Sequence, residues 1–374
     1  MNRLILLGNG FDLAHGLKTG YNDFILWYLK DCFTKAYDSH TYEDELISIT
    51  REQIYNDLRY GNIIDGVSQY IDYYYKNGFA ELISNFELKL LNTVYQPFFD
   101  VNVKSRFLEH LLANCKSNNW VDIENEYYEE LKSKLVLAND IYKSKELTEL
   151  NQTLEVLINR LADYLKALDD APTLNGYFSI FEEEILTKDV VTIRLDNNAP
   201  PNITKVLNFN YTNTVQNYFV SKAPYFSDFK FEVNYIHGWL VDNTNPIIFG
   251  FGDELDEAYL QMEHEKTRGF LEFIKSFWYF KTSNYHDLIR FIDSDNFQIF
   301  ILGHSCGLSD RTMLNMIFEH ENCKSIKIFY HEYKGKTNFT TLTQEISKHF
   351  KDKGEMRKKI VPFNYSSPMP QIGN

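Results

Sequence analysis

The stretch LILLGNGFDLAHGLKTGYNDF, residues 4–24, decides the fold prediction for this chain of 374 residues. It opens on an apolar run, Leu4 to Leu7, of the kind that forms a buried strand in a parallel sheet. Gly8 and Gly10 follow at once. In nucleotide-binding α/β folds, glycines at such a turn let the backbone approach a pyrophosphate at the start of the next helix. The stretch therefore predicts an α/β fold and makes a nucleotide the first candidate ligand.

Charge and composition exclude several classes of protein. The net charge is -14, and the densest basic run, MRKK at 356–359, is typical of a solvated helix face. We therefore expect no nucleic-acid partner. Apolar runs stay well short of the roughly 20 residues that a membrane helix needs, so we expect no membrane partner and a cytoplasmic protein.

Cysteine and histidine spacing gives no metal-binding pattern. The four cysteines are scattered singly, which fits a reducing compartment. The run HEKTR at 264–268 has arginine where the zinc motif H-E-x-x-H needs its second histidine. We expect no metal.

Hydrophobic periodicity predicts a helical block inside the chain. Apolar residues recur at three and four spacing in the segments 23–33, 78–95, 105–115 and 147–168. After these segments the pattern changes to short apolar runs that alternate with helices, and we predict strands within residues 190–195, 203–210, 231–238, 245–252, 297–305 and 325–332. A long helical stretch is predicted from about Glu254 to Ile292.

This order predicts a Rossmann-like, doubly wound and mostly parallel sheet with a large α-helical insertion. The predicted α/β domain is discontinuous and comprises residues 1–20 and 188–362. The predicted helical insertion or cap comprises residues 21–187, and residues 363–374 are predicted to be a flexible tail.

Four segments place polar or glycine residues directly after predicted strands: Gly8 to Asp12, Asn208 to Asn213, His237 with Gly238, and Gly303 to Ser305. Because the carboxyl ends of parallel strands meet at one edge, we expect these segments to converge there. Each also has a structural interpretation. Asp12 can cap a helix, His15 can be a satisfied half-buried histidine, the asparagines can be turn residues, and His237 can simply end a strand.

The order GNGFD, NFNYTN, YIHG, NPIIFGFGDE and ILGHSCGLSD resembles the AbiH family of bacterial phage-defence proteins over almost the whole chain. It also resembles, more distantly, sirtuin-like NAD-binding domains. That second resemblance implies that Asn210 and His237 are catalytic. It implies nucleotide contacts for a wider set: Gly8, Asn9, Gly10, Phe11, Asp12, His15, Asn208, Thr212, Gly238, Gly303, Ser305 and Asp310.

The resemblance implies hydrolysis of NAD, with no cofactor beyond NAD itself as the substrate. Thr212 stands where sirtuin-like sequences usually have an aspartate, and the zinc-binding cysteine module of deacetylating sirtuins is missing from the sequence. Plain cleavage of NAD is therefore favoured over deacetylation. Asn210 can hold a water or a ribose hydroxyl, and His237 can accept a proton. Because constant activity is toxic, we expect gating by a phage-derived trigger, by homo-oligomerisation or by the helical block.

Two alternatives remain open. GHSCG at 303–307 matches the G-x-S-x-G nucleophile elbow and makes Ser305 a candidate nucleophile of a serine hydrolase, although Ser309 and Asp310 suggest that the helix begins later. Alternatively, the domain binds a nucleotide as a non-catalytic sensor and the helical block relays the signal to a partner.

The segment around Trp120, Asp122 and Glu124 lies in the helical block. Asp122 is expected to cap a helix, and Glu124 is a candidate to orient His237 or a ribose if it faces the sheet edge.

Overall fold

The structure, a computed structural model, describes residues 1–51, 71–72, 75–76, 79, 99–115, 122–221 and 231–372. The chain forms two compact units. The sheet unit comprises Met1–Thr19, Leu168–Leu260 and Phe273–Asn374, and the helical unit comprises Gly20–Ala167 and Gln261–Glu272.

The strands, in chain order, are β1 (Asn2–Leu7), β2 (Thr41–Glu43), β3 (Ile47–Arg51), β4 (Phe99–Val103), β5 (Thr204–Asn208), β6 (Phe231–Tyr235), β7 (Phe297–Leu302), β8 (Cys323–Tyr330), β9 (Glu332–Tyr333), β10 (Lys336–Thr337) and β11 (Ser367–Pro368).

The helices are α1 (Asn9–Ala14), α2 (Tyr21–Ser39), α3 (Arg106–Asn114), α4 (Ile123–Leu135), α5 (Asp140–Lys166), α6 (Asn175–Phe181), α7 (Thr214–Ser221), α8 (Glu257–His264), α9 (Lys275–Trp278), α10 (Asn284–Ser294), α11 (Arg311–Glu319), α12 (Phe339–Ser347) and α13 (Lys353–Lys359). Short 3₁₀ turns occupy Thr187–Asp189, Tyr279–Lys281, Leu308–Asp310 and Phe363–Tyr365.

A six-stranded sheet forms the centre of the sheet unit, in the order β11-β8-β7-β1-β5-β6. Every neighbouring pair is parallel. All residues of β1 are buried, because both faces of a parallel sheet are covered. The predicted α/β class with a parallel sheet is confirmed.

Helices cover the two faces of the sheet in two groups. Ile5 and Leu7 of β1 share a hydrophobic cluster with residues of α1, α6 and α7. Leu4 and Leu6, which point to the opposite face, share a second cluster with residues of α10, α11 and α12. The helices that follow β1 and β5 therefore lie on one face and those that follow β7 and β8 on the other. The connections change face between β1 and β7.

The helical unit contains α2 to α5 and a three-stranded antiparallel sheet, β2-β3-β4. Side-chain caps begin three of these helices, with Ser105 on α3, Asp122 on α4 and Asn139 on α5. The helices predicted within 23–33, 105–115 and 147–168 are confirmed, and the sequence analysis missed the small sheet. The helix predicted at 78–95 and Trp120 lie outside the described residues.

Two predicted strands are wrong. Residues 190–195 form no strand, and residues 245–252 contribute only a single bridge, between Phe251 and Ile274. A Cβ on Gly250 would lie 1.9 Å from the carbonyl oxygen of Phe273, so the chain passes this point in a glycine conformation (φ 144°) that regular strands do not adopt. The predicted long helix 254–292 is instead broken into α8, α9 and α10.

The boundaries of the predicted helical insertion differ from those of the helical unit in the structure. Residues 168–187 belong to the sheet unit, because α6 buries Tyr177 and Phe181 in the cluster of Ile5 and Leu7. Residues 261–272 belong to the helical unit, where Lys143 forms an ion pair with Glu265.

The C-terminal segment, predicted to be a flexible tail, adds a strand to the sheet. Ser367 pairs with Phe329, and Met369, which is buried, donates its N–H to the Tyr330 carbonyl at 2.8 Å. The buried Met369, the Phe363 ring packed on Tyr330, and backbone and side-chain hydrogen bonds hold this polar stretch.

Within the part of the chain that the structure describes, no helix has both the length and the apolar character to cross a bilayer. The same residues contain no group of three or more His, Cys, Asp or Glu side chains placed to hold a metal ion.

Candidate functional site

The turn after β1 packs against the turn after β7. A Cβ on Gly8 would lie 2.6 Å from the Cα of His304, and one on Gly10 would lie 2.8 Å from the Cα of Gly303. The Gly10 N–H donates to the Gly303 carbonyl at 2.8 Å. Gly303 itself has φ 71°, in the left-handed region that favours glycine. In this structure the glycines thus permit the close approach of two turns, and their contact with a nucleotide stays a prediction.

Asn208 and Asn210 connect the turn after β5 to the turn after β1. The Asn208 side-chain oxygen accepts the backbone N–H of Asn210 at 3.0 Å. The Asn210 amide donates to the Gly8 carbonyl at 3.1 Å. Both asparagines are buried, so these bonds satisfy groups that water does not reach. Two of the predicted segments therefore meet through Asn210.

Asp12 lies on the other side of the same turn, on the α1 face of the sheet. One oxygen, Oδ2, accepts from the Thr212 hydroxyl at 2.7 Å. Burial raises the pKa of Asp12 to about 6, against the opposing effect of the polar side chains of Thr212, Thr214 and Asn210. Asp12 is therefore a buried carboxyl group, bound by the NFNYTN segment, whose ionisation is costly.

Several residues predicted to contact a nucleotide make contacts within the protein, and their contact with a nucleotide stays a prediction. His15 is buried, with Nδ1 donating to the Phe11 carbonyl and Nε2 beside the Tyr218 hydroxyl. Phe11 is a core residue. Asn9 accepts a hydrogen bond from the Thr19 hydroxyl. Gly238 has φ 95° and lies against the backbone of the residue 246–247 segment. These contacts are those of a folded core and a tight turn.

On the opposite face, Asp310 is the centre of a buried polar cluster with Lys275 and His237. Its Oδ1 lies 2.9 Å from Lys275 Nζ and 3.1 Å from His237 Nε2. His237 Nε2 is also 3.1 Å from the Tyr279 hydroxyl, and His304 Nε2 lies 3.8 Å from Asp310 Oδ2. Each of Asp310, Lys275, His237 and His304 is less than 10% exposed. This cluster brings together the turns after β6 and β7.

The short α9 places Lys275 in the cluster, and the turn after β7 places Asp310. Asp310 is the N-terminal residue before α11, yet its side chain makes no capping hydrogen bond. Its carboxylate binds Lys275 and His237 instead. Phe209 stands edge-on to His237 and His304, with ring centroids 4.9 and 4.1 Å away.

Electrostatics within the cluster favour a neutral His237 and an ionised Asp310. Burial lowers the pKa of His237, and the charge of Lys275 lowers it further. Burial opposes ionisation of Asp310, but the charge of Lys275 and the contact with His237 outweigh it and hold the pKa of the carboxyl well below its usual range. Burial lowers the pKa of His304 to about 4. The cluster is a Lys–Asp ion pair flanked by neutral histidines.

Because a carboxylate only accepts hydrogen bonds, the contact with Asp310 requires the hydrogen of His237 on Nε2. The lone pair is then on Nδ1, to which no described group donates a hydrogen bond. A buried carboxylate that orients an imidazole in this way is the arrangement of a histidine base. The site can therefore take up a proton at His237 Nδ1.

Ser305 is exposed, and none of the described side chains hydrogen-bonds its hydroxyl. His349 contacts the Cys306 carbonyl at 2.7 Å and not the serine. The positive φ angles in this turn belong to Gly303 and Cys306, and the helix begins only at Arg311. Among the described residues, this turn has neither the strand-to-helix elbow nor the base beside the serine that a serine nucleophile needs.

Sequence reasoning missed Lys275 and Tyr279 and left His304 without a role. Lys275 lies in the run FLEFIKSFWYF, where a lysine among apolar residues is a signal of burial with a partner. Asp310, predicted as a nucleotide contact, lies 3.1 Å from His237 in the structure, and its contact with a nucleotide stays a prediction. In the helical unit, Asp122 caps α4 as expected, and Glu124 is buried on the same helix.

The family model for bacteriophage abortive infection AbiH matches residues 4–332, and the chain belongs to that family. No curated protein sequence matches the chain.

Proposed function

We propose that this AbiH family protein hydrolyses NAD to nicotinamide and ADP-ribose and thereby halts a phage-infected cell. The observation that carries the proposal is the pairing of His237 with Asp310, 3.1 Å apart, at the carboxyl edge of the parallel sheet. The contact orients an unprotonated imidazole, which is the group that activation of water requires.

The arrangement of the sheet supports a nucleotide as the ligand. Numbered along the chain within the sheet, the six strands stand in the order 3-2-1-4-5-6, which is the order of Rossmann-like dinucleotide-binding sheets. In such sheets ligands bind at the carboxyl edge, where the connections change face. Here that place lies between β1 and β7, next to Gly8, Gly10 and Gly303.

The proposed reaction does not need a strong general acid. The bond between the nicotinamide nitrogen and the ribose carbon breaks, and its electron pair leaves with nicotinamide, which departs as a neutral molecule. The ribose carbon acquires oxocarbenium character, as in glycoside hydrolysis. Water adds to that carbon and gives its proton to His237 Nδ1. Asp310 stabilises the imidazolium that forms, and the charge of Lys275 keeps Asp310 ionised.

Asn210 is the neutral polar residue of the proposed site. Its amide already binds the Gly8 carbonyl, so it fixes the turn that the proposal places beside the nucleotide. An amide can also hold a ribose hydroxyl or a water without adding charge to an acidic protein.

The close packing of the turns after β1 and β7 supports the proposal that access of the nucleotide is gated. Gly8 and Gly10 lie against Gly303 and His304, so the phosphates reach these amides only if the turn after β7 moves. We propose that a phage-derived trigger or homo-oligomerisation in the cytoplasm produces this movement. A turn that moves when a nucleotide binds would also serve the second candidate function, in which the domain senses a nucleotide without cleaving it.

The test is nicotinamide release from NAD by the purified full chain, with and without extract from phage-infected cells. We expect release by the wild type and a loss of about 10²- to 10⁴-fold in His237→Gln, which keeps the side-chain volume but is not a base. His331→Gln, at an exposed histidine, is the matched control. Ser305→Ala is expected to keep full activity. Nucleotide binding without release by any sample would replace the hydrolase with the sensor.

A further inference from the structure

Among the described residues, two buried polar atoms at the carboxyl end of the α1 face of the sheet lack a hydrogen-bond partner. They are Asp12 Oδ1 and the Tyr235 hydroxyl, and both residues are nearly fully buried, at 1% and 6% exposure. Buried polar atoms in native proteins are almost always paired, because each unpaired one is costly. Two such atoms at the carboxyl edge of a parallel sheet therefore indicate a place that another molecule fills.

The topology brings the two residues to the same place. Leu7, Asn208 and Tyr235 form one row across β1, β5 and β6, at the last residue of each strand. Tyr235 shares its hydrophobic cluster with Phe11, the neighbour of Asp12. Burial raises the pKa of Tyr235, and the charge of Asp12 raises it further.

Neighbouring side chains hold both groups in fixed positions. Asp12 Oδ2 is bound to the Thr212 hydroxyl, which lies 3.2 Å from that of Thr214. The Tyr235 ring stacks on Trp239 with centroids 4.6 Å apart and planes inclined by 10°. Trp239 in turn donates its Nε1–H to Asn213 at 2.7 Å. The remaining hydrogen-bonding capacity of the pair is thus pre-organised.

The chemistry of the pair selects the kind of ligand. An ionised carboxylate oxygen accepts hydrogen bonds and repels phosphate, whereas a phenol both donates and accepts. A neutral group with two adjacent hydroxyls satisfies both atoms at once. Tyr235 also lines a cavity of about 520 Å³, whose wall includes Trp239, Asn245 and Asn284. This cavity reaches Tyr235, and Asp12 is not among its lining residues.

We propose that Asp12 and Tyr235 form a subsite for the vicinal hydroxyls of a ribose. The subsite lies on the α1 face, whereas His237 and Asp310 lie on the opposite face, so the two sites bracket the carboxyl edge. The inference rests on the proposed function in that NAD contains the riboses.

The test compares the affinity of ADP-ribose for the wild-type chain, Tyr235→Phe and Asp12→Asn by calorimetry. We expect each substitution to raise Kd about tenfold, the effect of losing one hydrogen bond in a buried site. ADP, which lacks the distal ribose, is the second probe. Equal weakening of ADP and ADP-ribose assigns the adenosine ribose to the subsite, and weakening of ADP-ribose alone assigns the distal ribose.

Thermal melting without ligand provides the structural control. Tyr235→Phe removes a hydroxyl without a partner, so the melting temperature is expected to stay equal or rise. Tyr177→Phe, the matched control, loses a 2.9 Å hydrogen bond to the Pro370 carbonyl and is expected to melt lower. An equal loss in both variants would show that the Tyr235 hydroxyl is already satisfied and would overturn the subsite.

The two proposals fail separately. If the wild type releases nicotinamide and Tyr235→Phe and Asp12→Asn bind ADP-ribose as the wild type does, the subsite is wrong and the hydrolase stands. If the wild type releases no nicotinamide but both variants bind ADP-ribose about tenfold more weakly, the hydrolase is wrong and the subsite stands. A wild type that binds neither ADP-ribose nor ADP overturns the subsite, and water alone then occupies it.

Discussion

At the scale of single residues, the charged groups that matter most for the candidate site are buried ones. Lys275 and Asp310 form an ion pair beneath the surface, and Asp12 is buried with its Oδ2 accepting a hydrogen bond from the Thr212 hydroxyl. The sequence placed Asp310 at the start of a helix, which is correct. It could not show that the side chain turns away from the helix to bind a lysine 35 residues earlier, because that contact depends on the path of the chain.

The ion pair gives a prediction about stability. Asp310→Leu removes the carboxylate that the buried Lys275 ammonium contacts at 2.9 Å, and we expect it to lower the free energy of unfolding by about 3–5 kcal/mol. The double variant Lys275→Met/Asp310→Leu removes both charges and is expected to lose much less than the sum of its single variants. Urea denaturation of the four proteins measures this. Additive losses would contradict a direct ion pair.

Asp12 gives a prediction about pH. Its pKa is raised from 3.8 to about 6 in the folded state, so the folded chain retains a proton there that the unfolded chain loses. Stability is therefore lost as the pH rises from about 4 to about 6. Asp12→Asn lacks this loss, and its stability relative to the wild type is expected to rise by about 1–3 kcal/mol between pH 4 and pH 7. A difference independent of pH over this range would show that burial does not perturb Asp12.

At the scale of elements, the short apolar runs predicted the sheet well. The strands predicted within 203–210, 231–238, 297–305 and 325–332 are present as β5 to β8. The last residues of β5, β6 and β7 form one row of paired, buried residues. The run VVTIRL at 190–195 has the same β-branched composition but forms no strand. Composition alone cannot decide whether a partner strand is available, and this limits prediction of single elements.

The contact between the turns after β1 and β7 gives a prediction at this scale. A Cβ on Gly10 would lie 2.8 Å from both the Cα and the carbonyl oxygen of Gly303, so one turn must move. We expect Gly10→Ala to lower the free energy of unfolding by about 1–3 kcal/mol. Gly307→Ala is the matched control, because its Cβ would meet only the Ser305 hydroxyl at 3.5 Å. Equal stability of both variants, measured by urea denaturation, would argue against the close packing of the turns.

At the scale of the whole molecule, the sequence indicated an α/β part and a helical part, and the structure divides the chain differently at the edges. Residues 261–272 belong to the helical unit although they lie between segments of the sheet unit. The bonds that place them, from Lys143 and Asn151, join residues more than 100 positions apart, and no local pattern predicts such contacts. The candidate site shows the same limit. Its location at the carboxyl edge of the sheet was predictable from the sequence, whereas the contact of His237 with Asp310 is visible only in the folded structure.

The central claim is that His237 enables the chain to consume NAD during phage infection. The most direct measurement is the NAD content of bacterial cells that express the wild type or His237→Gln, followed after phage addition. We predict that NAD falls in wild-type cells before phage release and stays constant in the variant, which also loses protection. Protection by the wild type with constant NAD, or protection retained by His237→Gln, would contradict the account.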